Sequence, residues 1–128
     1  MEMLSIDATK STPKVQYDPS AAQLSIIGQS YPENAFKFFE QIFNWMEAYL
    51  EQLTKEITFT FELHLPYINT SSTKCFMMLL DQLEEAFLGG KQVQVKWYYN
   101  VDNESEFECA EEFKEDLTVP FELIPLQE

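Results

Sequence analysis

Alternation of apolar and polar positions is the most regular feature of this chain. Ile57, Phe59, Phe61, Leu63 and Leu65 fall on one side of an extended strand, and Thr58, Thr60, Glu62 and His64 fall on the other. Val93-Gln94-Val95-Lys96-Trp97 and Val119-Pro120-Phe121-Glu122-Leu123 repeat the pattern. Lys14-Val15-Gln16-Tyr17 and Gln23-Leu24-Ser25-Ile26-Ile27 read as two shorter strands around the turn cluster Asp18-Pro19-Ser20, with Gly28 closing the second. A parallel sheet covered on both faces would show continuous apolar runs. One polar face per strand therefore predicts helices on one face only, and Pro120 predicts that the last strand lies at an edge.

Between these strands the apolar period changes to three and four. Phe36, Phe39, Phe43, Met46 and Leu50 form one helical stripe, widened by Ile42, Trp45 and Tyr49. Ser30-Tyr31-Pro32-Glu33 has the spacing of a capping box ahead of it, and Asn34 is an alternative cap. A second helix runs from Thr70 to Phe87 on Phe76, Leu79, Leu80, Leu83 and Phe87, and Gly89-Gly90 ends it. A third spans Asn103 to Leu117, with Phe107, Ala110, Phe113 and Leu117 inward and Glu104, Glu106, Glu111, Glu112 and Glu115 outward. The order β-β-α-β-α-β-α-β predicts a single two-layer α/β domain over residues 13–128, with a mixed sheet of about five strands and helices mainly on one face. Residues 1–12 read as a loose lead-in.

Composition narrows the function. Among 128 residues there are 22 acids and 8 basic residues, a formal charge of -14. All eight basic residues are lysines, so the usual bidentate phosphate clamp of arginine is missing. Such a surface disfavours nucleic acid and anionic lipid and favours partners with basic patches. No secretory leader or membrane-spanning stretch is legible, which predicts a cytoplasmic protein.

Catalytic chemistry has little to build on. The single histidine, His64, lies on a polar strand face, and Cys75 and Cys109 sit in helical patterns as small thiols, so neither a zinc site nor a Cys-His nucleophile is assembled. Three glycines provide no phosphate cradle. Glu84/Glu85 and Glu111/Glu112 are adjacent helical acids that point about 100° apart and read as solvated surface. Asp102-Asn103-Glu104-Ser105-Glu106 lacks the glycine and the terminal glutamate of a calcium loop. The reading calls for no cofactor and no metal.

One segment stands out. Asn69-Thr70-Ser71-Ser72-Thr73-Lys74 joins the best strand to the second helix. Asn, Ser and Thr are good helix caps, and a strand-to-helix loop needs one of them. Four consecutive hydroxyl residues exceed that need. A helix N-terminus also stabilises an added dianion, so a phosphoryl group here would be tolerated while presenting charge to a partner.

The blocks Ser30-Tyr31-Pro32-Glu33-Asn34-Ala35, Asn69-Thr70-Ser71-Ser72 with Lys74, Trp97-Tyr98-Tyr99 and Pro120-Phe121 resemble the SiaC-type bacterial regulatory phosphoproteins, in the same order and at similar spacing from about Ser11 to the C-terminus. The resemblance implies a STAS-like fold and a switch function. It implies that a partner kinase phosphorylates the threonine of the NTSS block, here Thr70, and that a PP2C-type phosphatase removes the phosphate. It further implies that the unphosphorylated form binds and activates a diguanylate cyclase, raising cyclic di-GMP and promoting biofilm formation or aggregation. Tyr31, Asn34, Asn69, Ser71, Ser72 and Lys74 are the expected partner-facing residues, with Ser71 and Ser72 as caps or secondary contacts. Two alternatives stay open. One is a constitutive STAS-like scaffold, or a partner-switching protein like the anti-sigma-factor antagonists, in which Thr70 is only a cap. The other is a small enzyme using the acidic residues.

Overall fold

The computed structural model describes residues 3–127; residues 1, 2 and 128 of the stretches read above lie outside them. Six strands and three helices follow in the order β1 (Ser5–Ile6), β2 (Lys14–Asp18), β3 (Gln23–Ile27), α1 (Ala35–Gln52), β4 (Phe59–His64), α2 (Thr70–Leu88), β5 (Val93–Asn100), α3 (Glu104–Glu115) and β6 (Phe121–Leu126). The strands lie side by side in sequence order, antiparallel from β1 to β3 and parallel from β3 to β6. Each of the three crossovers advances one strand in the same direction. Right-handed connection then puts all three helices on the same face.

That face is the apolar one. Trp45 and Tyr49 of α1 pack on Tyr17 and Phe59, Phe76 of α2 meets Phe39, and Phe113 of α3 stacks on Trp97 at 5.1 Å. Phe59, Phe61, Leu63, Val95 and Trp97 are all buried beneath the helices. The opposite face carries no helix and is knitted by its own side chains. Tyr98 Oη donates to Glu62 at 3.1 Å, and Gln94 Nε2 donates to Thr60 Oγ1 at 2.9 Å. The edge expectation for the final strand holds, with Pro120 just before β6.

The structure corrects several details. Ser5–Ile6, inside the stretch read as a loose lead-in, pair with Gln16 and Val15 and make the sixth strand. Ile57 lies outside β4 and is exposed, because the strand starts only at Phe59, where pairing with Val93 begins. Phe36 leaves the α1 stripe for the surface, leaning on Phe43 instead of the sheet. Thr60 is buried on the helix-free face because Gln94 closes over it. Glu106, read as outward, is buried against His64.

Candidate functional site

The C-terminal ends of the parallel strands lie at one edge of the sheet, and α1, α2 and α3 all begin there. In open α/β sheets this edge gathers ligand and partner contacts. After β3, Gly28 turns the chain with φ +128°, and a Cβ there would sit 3.3 Å from the Pro13 Cα. Its N–H donates to the His64 carbonyl at 2.9 Å, so the exits of β3 and β4 leave together.

The two loops are then joined. Ser30 N–H donates to the Tyr67 carbonyl at 2.8 Å, and Asn69 N–H donates to the Ser30 carbonyl at 3.0 Å. The hydroxyls of Ser30 and Ser72, both fully buried, share a 2.8 Å hydrogen bond. Tyr31 and Tyr67 add an edge-on ring contact at 6.0 Å. The Ser30-x-x-Glu33 spacing therefore does not make a capping box. Ser30 is spent on the second loop, and the α1 cap is Asn34, whose Oδ1 accepts from Lys37 N–H at 3.1 Å.

Asn69 caps α2, accepting from Ser72 N–H at 2.9 Å, and Thr73 Oγ1 donates to the Asn69 carbonyl at 3.0 Å. The cap requirement is thus met by Asn69. Thr70 is the first helical residue, exposed, and its hydroxyl has no hydrogen-bond partner among the described residues. Ser71 is also exposed, whereas Ser72 is buried in the loop joint. Ser72 thus fixes the loop and is closed to a partner, unlike the sequence expectation. Lys74 is exposed and four residues beyond Thr70, so the two share a helix face.

The first turn of α3 holds Glu104 and Glu106, which complement its dipole, whereas the first turns of α1 and α2 hold no acid. A phosphoryl group on Thr70 would meet open N–H groups and Lys74.

Sequence reasoning missed two residues at this edge. The local spacing points Ser30 at the start of α1, and nothing local reveals its actual partner, Ser72, 42 positions away. His64 Nε2 lies 3.4 Å from the buried Glu106 Oε1, so the end of β4 sits beside the first turn of α3, although that oxygen accepts no hydrogen bond among the described residues. The sequence places Glu106 in the first turn of α3, but nothing local shows that this turn buries it against the end of β4. Burial pushes the Cys75 thiol up, and burial with Glu112 pushes Cys109 up to about 11, so both stay protonated near neutral pH. Among the described residues no group of three potential metal ligands converges.

Comparison with known proteins adds the family. The SiaC family regulatory phosphoprotein pattern matches residues 6–126. An uncharacterized protein of Pseudomonas aeruginosa (strain UCBPP-PA14) is 45% identical over 121 residues, covering 94% of both chains. SiaC of Pseudomonas aeruginosa superposes with a TM-score of 0.89 at 41% identity, covering 98% of this chain and all of that one. A chain from the crystal structure of the diguanylate cyclase SiaD in complex with its activator SiaC, also from Pseudomonas aeruginosa, matches at 43% identity and TM-score 0.89, covering 96% and 99%. Sequence blocks, fold and family pattern agree over nearly the whole length: this chain belongs to the SiaC family of regulatory phosphoproteins.

Proposed function

We propose that the unphosphorylated chain binds and activates a diguanylate cyclase, that a partner kinase turns it off by phosphorylating Thr70, and that a PP2C-type phosphatase restores it. It acts in the cytoplasm, by binding and not by turnover, through a STAS-like domain whose sheet includes Ser5–Ile6 ahead of the stretch 13–128. The observation that carries the reading is the state of Thr70. It is exposed at the first position of α2, its hydroxyl is not needed as the cap, and no acid occupies that turn. The match to a chain from the SiaD–SiaC crystal structure supplies the class of partner.

The site suits a switch because the same phosphate has opposite effects inside the protein and across an interface. Inside, the helix terminus and Lys74 make it neutral or mildly stabilising, by about 0.3–1 kcal/mol. Across an interface, a partner packed over the loop must desolvate the dianion. A penalty of about 3 kcal/mol weakens binding by about a hundredfold.

The test measures cyclic di-GMP synthesis by the cognate cyclase with the unmodified protein, the Thr70-phosphorylated protein and Thr70→Ala. The expected result is activation by the first and third, and activity near the cyclase's own basal level with the second. Thr70→Asp should bind weakly with an unchanged melting temperature. Equal activation by the phosphorylated and unmodified proteins would return Thr70 to an ordinary helix position.

A further inference from the structure

The sheet ends at an open strand. β6 pairs with β5 on one side, and among the described residues no strand lies on its other side. The register shows which backbone groups this leaves bare. Val95 N–H donates to the Pro120 carbonyl and Val101 N–H to the Leu126 carbonyl, so the even-numbered residues of β6 turn their backbone toward β5. The odd-numbered ones turn outward. Phe121 and Leu123 therefore present both N–H and C=O along the edge, and Pro125 presents a carbonyl alone. Phe121 and Leu123 are level with Phe61 and Leu63 of β4 and two strands outboard of them, about 10 Å away. Thr70 lies past the end of β4, so this flank is not the surface that carries it.

Above the edge, α3 and β6 enclose an open bowl of about 680 Å³. Leu117, Val119 and Leu123 form its floor. Its wall on α3 holds Glu108, Glu111, Glu112 and Glu115, with Lys114 as the one basic residue among them. All five are exposed, and among the described residues none forms an ion pair. Phe121 and Leu123 share the helix-covered face, where Phe121 stacks on Trp97 at 6.0 Å. A strand laid against β6 would therefore send every second side chain into the bowl, where carboxylates outnumber cations.

We propose that the β6 edge accepts an extended segment of a partner protein as an added strand, one with lysine or arginine at alternate positions. In this mode backbone pairing supplies affinity and the alternate side chains supply selectivity. The aliphatic stems of the basic residues cover Leu123 and Val119, and their heads reach the glutamates. On the opposite face Glu122 already has Lys96 beside it in the register, so the unmet demand for cations is on the bowl side. The missing N–H of Pro125 ends the pairing. From Phe121 to Pro125 the strand covers about 13 Å, which sets the segment at about five residues. A second copy of this chain is a poor occupant, because its own β6 would bring the same glutamates and a charge of -14 to the contact. The proposal goes beyond the switch reading and does not depend on Thr70.

The experiment uses the full chain and an eleven-residue peptide of alternating lysine and threonine, with binding followed by fluorescence anisotropy. One control peptide has the same composition with its lysines in a single block. A second is the alternating peptide with its central residues N-methylated, which removes the donors a strand needs. The position of the peptide is read from amide hydrogen exchange of Phe121 and Leu123 by NMR. The alternating peptide should slow both amides, and each control should bind at least about tenfold more weakly. Glu111→Lys with Glu115→Lys, both at exposed positions, should weaken binding by about tenfold and flatten its dependence on salt. The double variant should keep the parent melting temperature within a few degrees.

Equal binding of the N-methylated peptide would mean diffuse attraction to an acidic surface and would overturn the proposal. Binding that leaves the Phe121 and Leu123 amides unchanged would place the peptide elsewhere, with the same consequence. If both amides in the unliganded chain exchanged as slowly as that of Trp97 in β5, the edge would already be paired with a second copy, and the partner strand would be ruled out. None of these outcomes bears on cyclase activation by Thr70 variants, so the two readings fail separately.

Discussion

At the scale of single residues, the site is organised by which side chain is spent and which is spare. Asn69 supplies the α2 cap and Ser72 the joint to Ser30, so Thr70 is left with no structural duty. The stability of variants should follow that division. Ser72→Ala strands a buried Ser30 hydroxyl and should cost about 1–3 kcal/mol. Asn69→Ala removes a cap and should cost about 1 kcal/mol. Thr70→Ala should change stability by less than about 0.5 kcal/mol. Urea melts of the three variants test the order, and a Thr70→Ala protein as unstable as Ser72→Ala would show that its hydroxyl is structural after all. The division was only half legible in the sequence. The NTSS block marks the place, and any of its members could have capped. Which one does depends on Ser30, whose position comes from β3 pairing beside β4, a long-range fact that no local pattern contains.

At the scale of elements, the alternation in β4 and β5 was enough to put the helices on one face, because burial of one sheet face and not the other is what alternation records. It failed where an element is held by other means. The Ser5–Ile6 strand is too short to show a period and exists because β2 offers it an edge. The connection from α3 to β6 shows the same limit. Glu84 reads as one of a solvated pair, yet its carboxylate accepts from Thr118 Oγ1 at 2.6 Å and from the N–H groups of Thr118 and Val119 at 2.9 Å each. The Thr118 hydroxyl, then the two N–H groups, hold its carboxyl below the ordinary 4.5. A depressed carboxyl contributes stability that is complete above the unfolded value and is lost as pH falls through the folded one. Glu84→Gln should therefore lower stability at neutral pH, by about 1 kcal/mol once solvent screening of this open site is allowed for. The gap between parent and variant should begin to close only as the pH falls below the ordinary 4.5. A gap constant from pH 7 to pH 3 would show that the amide loses packing and not charge.

At the scale of the whole molecule, the charge of -14 sets the approach of a partner, and the local site decides whether it stays. Phosphorylation moves the total only to about -16, a small fractional change in the far field. If the switch worked through that far field, it could not be large, and salt would abolish it. A dianion buried under a partner behaves differently, since its desolvation cost is incurred within a few ångströms and ionic screening acts over about 10 Å at 0.1 M salt. Association with a basic partner should therefore slow markedly as salt rises from about 0.05 to 0.5 M, for both forms of the protein. The ratio of their affinities should stay within about threefold of its low-salt value, because it comes from a contact that salt does not reach. Stopped-flow association and equilibrium titration of the two forms against the cyclase provide both numbers. A ratio that collapsed to one at high salt would make the phosphate a contributor to long-range repulsion, and the interface would then have to lie away from Thr70.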